Sequence, residues 1–125
     1  MHEDLYGTLR ESVLTNLQNG VDVLIDIDTQ GAATIRNSED PIVQQVLADI
    51  FIMPPDVEEL RRRLMKRGTE TAQQIESRLA TAMREMELWR NYRYTIVSGS
   101  IEEDLEKVRN IMSAETFLSR RLTPN

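Results

Sequence analysis

The sequence predicts an α/β domain built on a parallel sheet, on the strength of two observations. Three short apolar runs, at 21–27, 50–53 and 94–97, are each separated from the next by stretches with helical apolar spacing. No hairpin signal joins one run to another, so the strands must pair in parallel through helical crossovers. The first run, Val21-Asp22-Val23-Leu24-Ile25-Asp26-Ile27, is too apolar to be half-exposed and reads as a central strand covered on both faces. Three strands make a thin sheet for this architecture, and the chain reads as part of something larger or as half of an obligate oligomer.

Taken in order, Thr8-Leu9-Arg10-Glu11 has the form of a capping box, and Leu9, Val13 and Leu17 follow at helical spacing until Asn19-Gly20 ends the segment. A second helix is expected just after Gly31, and a loop over 37–41. Residues 42–47 fit either helix or strand. Pro54-Pro55 stops the second apolar run, because proline cannot continue a strand ladder. Asp56 with Glu59 then signals a helix N-terminus, whose stripe Val57, Leu60 and Leu64 runs to Gly68. Thr71 with Gln74 opens a longer helix with Ile75, Leu79, Met83 and Met86 on one face, reaching Trp89; its methionines and the tryptophan are expected in the core. Ser100 with Glu103 caps a last helix carrying Ile101, Leu105, Val108 and Met112. The tail from Ser119 is polar.

At 125 residues the chain is one domain by length, large enough to bury a core without staples. It has no cysteine, hence neither a disulfide framework nor a thiolate zinc site, and a reducing cytoplasmic setting is expected. No segment approaches the roughly 20 apolar residues of a membrane span. The net charge of −6 argues against nucleic-acid binding through a broad basic field. The basic residues are nonetheless unusual in kind: Lys66 and Lys107 are the only lysines, and the rest are arginine, whose rigid fork suits carboxylate or phosphate.

Chemistry concentrates in two places. Asp26 and Asp28 stand two apart at the end of the first run, so on a strand they share a face and aim at the crevice where parallel sheets hold ligands. Acidic residues in such places also serve as turn formers or helix caps. Downstream, Arg61-Arg62-Arg63 and Lys66-Arg67 are either a solvated helix face paired with Glu58 and Glu59 or a phosphate-binding set, with Arg63 and Arg67 on one helical face.

Four stretches together resemble the guanylate kinase family: Tyr6-Gly7-Thr8 as a turn before the first helix, Ile25-Asp26-Ile27-Asp28-Thr29-Gln30-Gly31, Arg63-Leu64-Met65-Lys66-Arg67-Gly68-Thr69-Glu70-Thr71, and Ile75-Glu76-Ser77-Arg78-Leu79. The likeness runs from about Tyr6 to about Leu118. It implies a three-layer parallel-sheet fold of the P-loop kinase type, present here as its C-terminal part. The 125 residues would then form a partial guanylate-kinase-like domain with a mobile lid region at about 63–78. It implies transfer of phosphate from ATP to GMP with magnesium.

By the same resemblance, Tyr6 would meet the GMP phosphate, Thr8 and Asp28 the guanine, and Asp26 the magnesium shell through water. Thr8 cannot easily be both guanine ligand and helix cap. Arg63, Arg67 and Arg78 would be the catalytic phosphate ligands, Arg63 and Arg67 forming the ATP site with Ser98, while Arg61 and Arg62 stay on the surface. Gly68 would end the helix where the lid hinges.

Two departures qualify this. No Gly-x-x-x-x-Gly-Lys-Ser/Thr occurs in the sequence, so the loop that cradles ATP phosphates is missing and the chain alone is expected to be inactive. Val97-Ser98-Gly99 stands where the family has Val-Asn-Asp, which costs the two-sided amide expected to meet adenine. Two alternatives stay open: a non-catalytic guanylate-kinase-like module that binds proteins, and a small-molecule kinase on the same scaffold. An exposed sheet edge would favour self-association.

Overall fold

The computed structural model describes residues 2–118, with side chains from residue 10 onward. Six helices and two strands are described: α1 (His2–Gln18), α2 (Thr29–Arg36), α3 (Pro41–Val46), β1 (Ile50–Met53), α4 (Val57–Lys66), α5 (Ala72–Met86), β2 (Tyr94–Val97) and α6 (Ile101–Glu115), with a 3₁₀ turn at Glu87–Asn91.

The sheet is parallel, as the sequence predicts, with Ile50 opposite Tyr94 and Met53 opposite Val97. The crossover between its strands is the α4–α5 hairpin. Buried apolar residues come from several elements: Leu79 of α5 and Ile96 of β2 are each 3% exposed, Ala32 of α2 is buried, and Phe51 of β1 lies edge-on to Tyr92 at 5.0 Å between ring centroids.

Local signals are realised where a cap or a stop defines them. Asp56, Thr71 and Ser100 each accept from the backbone N–H three residues on, and Thr71/Gln74 and Ser100/Glu103 form reciprocal capping boxes. Gly20, at φ 75°, closes α1: its N–H bonds to Leu17 O at 3.1 Å and that of Val21 to Asn16 O at 2.9 Å, the paired bonds of a helix ending in a left-handed residue. Residues 42–47, open from sequence, fall mainly in α3, which Asp40 caps and Pro41 begins.

Four expectations are corrected. Residues 21–27 are not a strand: after Val21 they make no backbone hydrogen bond among the described residues, and Leu24 is 77% exposed. Apolar β-branched sequence sets an extended local conformation, but a strand exists only where a neighbouring ladder satisfies its N–H and C=O groups. The described sheet therefore has two strands, not three. Tyr6-Gly7-Thr8 lies inside α1 and does not precede it, so no helix N-terminus falls at Thr8. One interior glycine costs only about 1 kcal/mol, less than ending a helix that both flanks continue.

Lastly, Met83 and Trp89 are exposed, with Arg90 stacked on the indole at 5.0 Å, and the α6 stripe is open at Ile101, Leu105 and Met112. A helical stripe specifies which residues share a face; burying that face needs a partner surface, and none among the described residues covers it. No described helix is long and apolar enough to cross a membrane.

Candidate functional site

The start of α4 fixes the first group of charges. Asp56 Oδ1 accepts from the Glu59 N–H at 2.7 Å, placing Glu59 in the first turn with Arg62 and Arg63 one turn further on. The Glu59 carboxylate receives Arg62 through Nε and Nη2, at 2.8 and 2.6 Å, and Arg63 through Nε at 3.0 Å. Those bonds, Arg62 foremost, hold the Glu59 carboxyl down to about 2.

Arg63 then reaches the carboxyl end of β2. Its Nη1 donates to Ser98 Oγ at 3.2 Å. Ser98 is buried at 7% exposure, and its N–H carries the ladder one residue past β2 by bonding Met53 O at 2.8 Å. The Ser98 hydroxyl donates in turn to Asp104 Oδ2 at 2.6 Å, while Asp104 Oδ1 takes the Gly99 N–H at 2.8 Å. The Ser98 bond, and after it the Gly99 N–H, keep the Asp104 carboxyl below its ordinary range. Lys107 closes the cluster, its Nζ donating to Val97 O at 3.0 Å.

Two residues expected at the ATP site, Arg63 and Ser98, are thus in contact across 35 positions of sequence. The third, Arg67, caps the C-terminus of α4, is exposed, and its side chain has no hydrogen bond or ion pair among the described residues. Gly68 follows at φ 67°, a left-handed turn that lets the chain reverse into α5. Arg78 is more than half exposed and pairs with Glu70 at 2.9 Å; the other Glu70 oxygen is buried without a partner among the described residues. Arg61 of α4 pairs with Glu76 of α5, so one ion pair links the two helices of the hairpin and the Arg78–Glu70 pair ties α5 to the loop that precedes it.

The acids stand apart from this cluster. Asp28 caps α2, its Oδ1 accepting from the Gly31 N–H at 2.7 Å. Asp26 is exposed and makes no hydrogen bond or ion pair among the described residues. No described bond joins either acid to Arg63, Arg67 or Arg78, and no described group of three or more His, Asp or Glu is placed to hold a metal ion directly. The side chains of Tyr6 and Thr8 lie outside the described residues.

The family model for guanylate kinase matches residues 1–115. The chain belongs to the guanylate kinase family. Among its curated relatives, the guanylate kinase of Caldanaerobacter subterraneus is 38% identical over 115 residues, covering 92% of this chain and 53% of that protein. That of Chelativorans sp. is 39% identical over 121 residues, covering 97% and 54%. The crystal structure of the guanylate kinase from Anaplasma phagocytophilum superposes with a TM-score of 0.71 at 34% identity, covering 90% of this chain and 50% of that one. This guanylate kinase family member therefore spans about half the length of the relatives it matches.

Sequence reasoning missed Asp104 in this guanylate kinase family member. It sits in the acidic triplet Glu102-Glu103-Asp104, which reads as a complement to the helix dipole at the start of α6. Only the turn at Ser98-Gly99 brings one of the three carboxylates back onto the end of β2. Glu59 was visible as a four-residue partner of Arg63, and it bonds Arg62 as well.

Proposed function

We propose that this chain forms the C-terminal part of an ATP:GMP phosphotransferase, within a three-layer fold of the P-loop kinase type and in a cytoplasmic setting. Phosphoryl transfer spreads negative charge over the moving group and needs positioned cations more than covalent chemistry. Arg63, Arg67 and Arg78 supply those cations from the α4–α5 hairpin, which serves as the lid. Tyr6 contacts the GMP phosphate, and Thr8 and Asp28 the guanine.

The observation that carries this reading is the Arg63–Ser98 contact, which seats a cation at the carboxyl end of a parallel strand, where such sheets hold ligands. Arg67, exposed and unpaired among the described residues, is open to a phosphate without first breaking a bond.

The donor set fits magnesium that arrives with ATP. Asp26 has an exposed carboxylate with no described partner, suited to the ion's water shell, and direct chelation by protein groups alone has no ligand cluster among the described residues. When bound, magnesium would neutralise phosphate charge, and Asp26 would hold it through its water shell.

A coupled assay for ADP formation that requires both GMP and ATP tests the reading. The 125-residue chain by itself is expected to give none, because its sequence carries no phosphate-cradling loop, and adding a polypeptide that carries such a loop is expected to restore turnover. ADP formation by the chain alone would overturn this account of its incompleteness.

One observation favours a second reading, a protein-binding module. Ile52 and Val97 of the sheet are exposed at 54% and 50%, and Leu24 of the unpaired 21–27 run at 77%, more apolar surface than a free-standing parallel sheet leaves open. The same surface suits self-association. Charge reversal at Arg67 separates the readings: it weakens nucleotide binding under the first and leaves it untouched under the second.

A further inference from the structure

The Ser98 hydroxyl is committed on two sides. It accepts from Arg63 Nη1 at 3.2 Å and donates its single proton to Asp104 Oδ2 at 2.6 Å, within a residue that is 7% exposed. Arg63 is gripped at two points of its guanidinium, Nε by Glu59 at 3.0 Å and Nη1 by Ser98. Bonds at those two nitrogens oppose rotation about Nε–Cζ and set the plane of the fork. The remaining nitrogen, Nη2, has no partner among the described residues and is left to meet an anion.

Asp104 is in turn fixed by the Gly99 N–H at 2.8 Å, so the chain of bonds ends on backbone. A Cβ at Gly99 would come within 2.9 Å of Glu103 Oε2, the free end of a flexible side chain beside this turn. An acid four residues beyond Ser100 in α6 therefore reaches across to govern an arginine of α4.

We infer that Ser98 and Asp104 are positioning residues for Arg63, orienting its guanidinium at the carboxyl end of β2, and that Ser98 serves in this chain as an anchor for that arginine and not as a reader of the adenine base. The role of Arg63 toward phosphate rests on the function proposed above; the anchoring does not, and the two are tested separately.

In the full chain with ¹³C/¹⁵N-labelled arginine, Nε–Cζ rotation is measured by ¹⁵Nη exchange, the Arg63 signals being assigned by their loss in Arg63→Lys. Rotation is expected to be slow in wild type and in Ser98→Thr, which keeps the hydroxyl, and at least tenfold faster in Ser98→Ala and Asp104→Ala. Wild-type rotation as fast as at exposed Arg67 would overturn the anchoring.

Magnesium-ATP binding to the same proteins, with the loop-bearing polypeptide present, is then read by calorimetry. Ser98→Ala is expected to weaken it about threefold to tenfold, the worth of one indirect hydrogen bond, with Ser98→Thr restoring it. If Arg63→Ala weakens binding and Ser98→Ala does not, the positioning role fails while the phosphate role stands. If Arg63→Ala has no effect, the phosphate role fails, and the rotation rates alone decide the anchor. Thermal unfolding of each variant separates loss of orientation from loss of fold: a Ser98→Ala protein that unfolds like wild type yet rotates fast supports the inference, and one whose rotation slows only as its fold returns in Ser98→Thr opposes it.

Discussion

Asp28 carries a structural role and a proposed chemical one, and substitution can separate them. Its Oδ1 accepts the Gly31 N–H at 2.7 Å and caps α2, while Oδ2 makes no described bond. A carboxylate can accept several hydrogen bonds, so capping with one oxygen leaves the other for guanine. Removing the cap with Asp28→Ala is expected to cost about 1 kcal/mol, which for a domain of this size lowers the melting temperature by roughly 3–6 °C.

Asp28→Asn keeps an acceptor in place, and asparagine caps about as well as aspartate, so only a few tenths of a kcal/mol of dipole interaction is lost. Guanine offers its N1–H and amino group as donors, and the amide that replaces the carboxylate keeps its oxygen on the Gly31 N–H and turns an NH2 donor toward them in place of an acceptor. Losing a charged acceptor there is worth about 1.5–3 kcal/mol, or roughly a tenfold to 150-fold fall in GMP affinity. Unfolding followed by circular dichroism reads the first effect, and GMP titration of the same proteins, with the loop-bearing polypeptide present, reads the second. Equal destabilisation by Asn and Ala would refute the cap; unchanged GMP affinity in Asp28→Asn would leave Asp28 as a cap only.

Other perturbations follow from the same geometry. Leu79→Ala, at 3% exposure, is expected to cost about 2–5 kcal/mol, enough to unfold much of a core this thin, and chemical denaturation checks it. Glu59 should titrate near 2, held there by Arg62 and then Arg63. Its folded value is depressed from 4.5, so the stability it lends is complete above about 4.5 and disappears as pH falls through about 2; a carboxyl carbon titration with a midpoint near 4.5 would contradict it. Arg67→Glu should weaken magnesium-ATP binding at least tenfold while lowering the melting temperature by only a few degrees, since its side chain makes no described bond to lose and only its placement at the C-terminus of α4 turns unfavourable. Leu24→Glu should leave stability unchanged and shift the sedimentation coefficient toward monomer if the 21–27 surface drives self-association; an unchanged distribution that remains oligomeric would place the contact elsewhere.

What could be read from the sequence divides along a physical line. Caps and stops are local: Asp56, Thr71 and Ser100 need only the N–H groups three residues on, and Gly20 and Gly68 need only the backbone's own steric map, so each appears where the sequence places it. The Arg63–Glu59 pair is local in the same sense, one helical turn apart. Asp104 was hidden because its partner is defined by the end of β2 and the turn after it, and three adjacent acids at a helix start look alike until that turn is known. Trp89 and Met83 misled because periodicity names a shared face and says nothing about whether another surface meets it.

The run at 21–27 makes the same point about the fold as a whole. Its sequence encodes a strand buried on both faces, yet in the described residues it is extended, unpaired and open, and the outward faces of Ile52 and Val97 beside the ladder are open too. Sequence and structure agree once the strand is taken as half of a contact. The pattern of valine and isoleucine specifies what the segment must bury, and the surface that buries it is not among the described residues. The arginine cluster behaves oppositely: Arg63 is held by Glu59 and Ser98, the latter fixed in turn by Asp104, all among the described residues. A cation already oriented loses little conformational freedom when it meets an anion. Supplying a ladder against 21–27 should therefore raise stability far more than it changes the rotation of Arg63, and a large change in that rotation would show the arginine to be organised by the sheet and not by its own two partners.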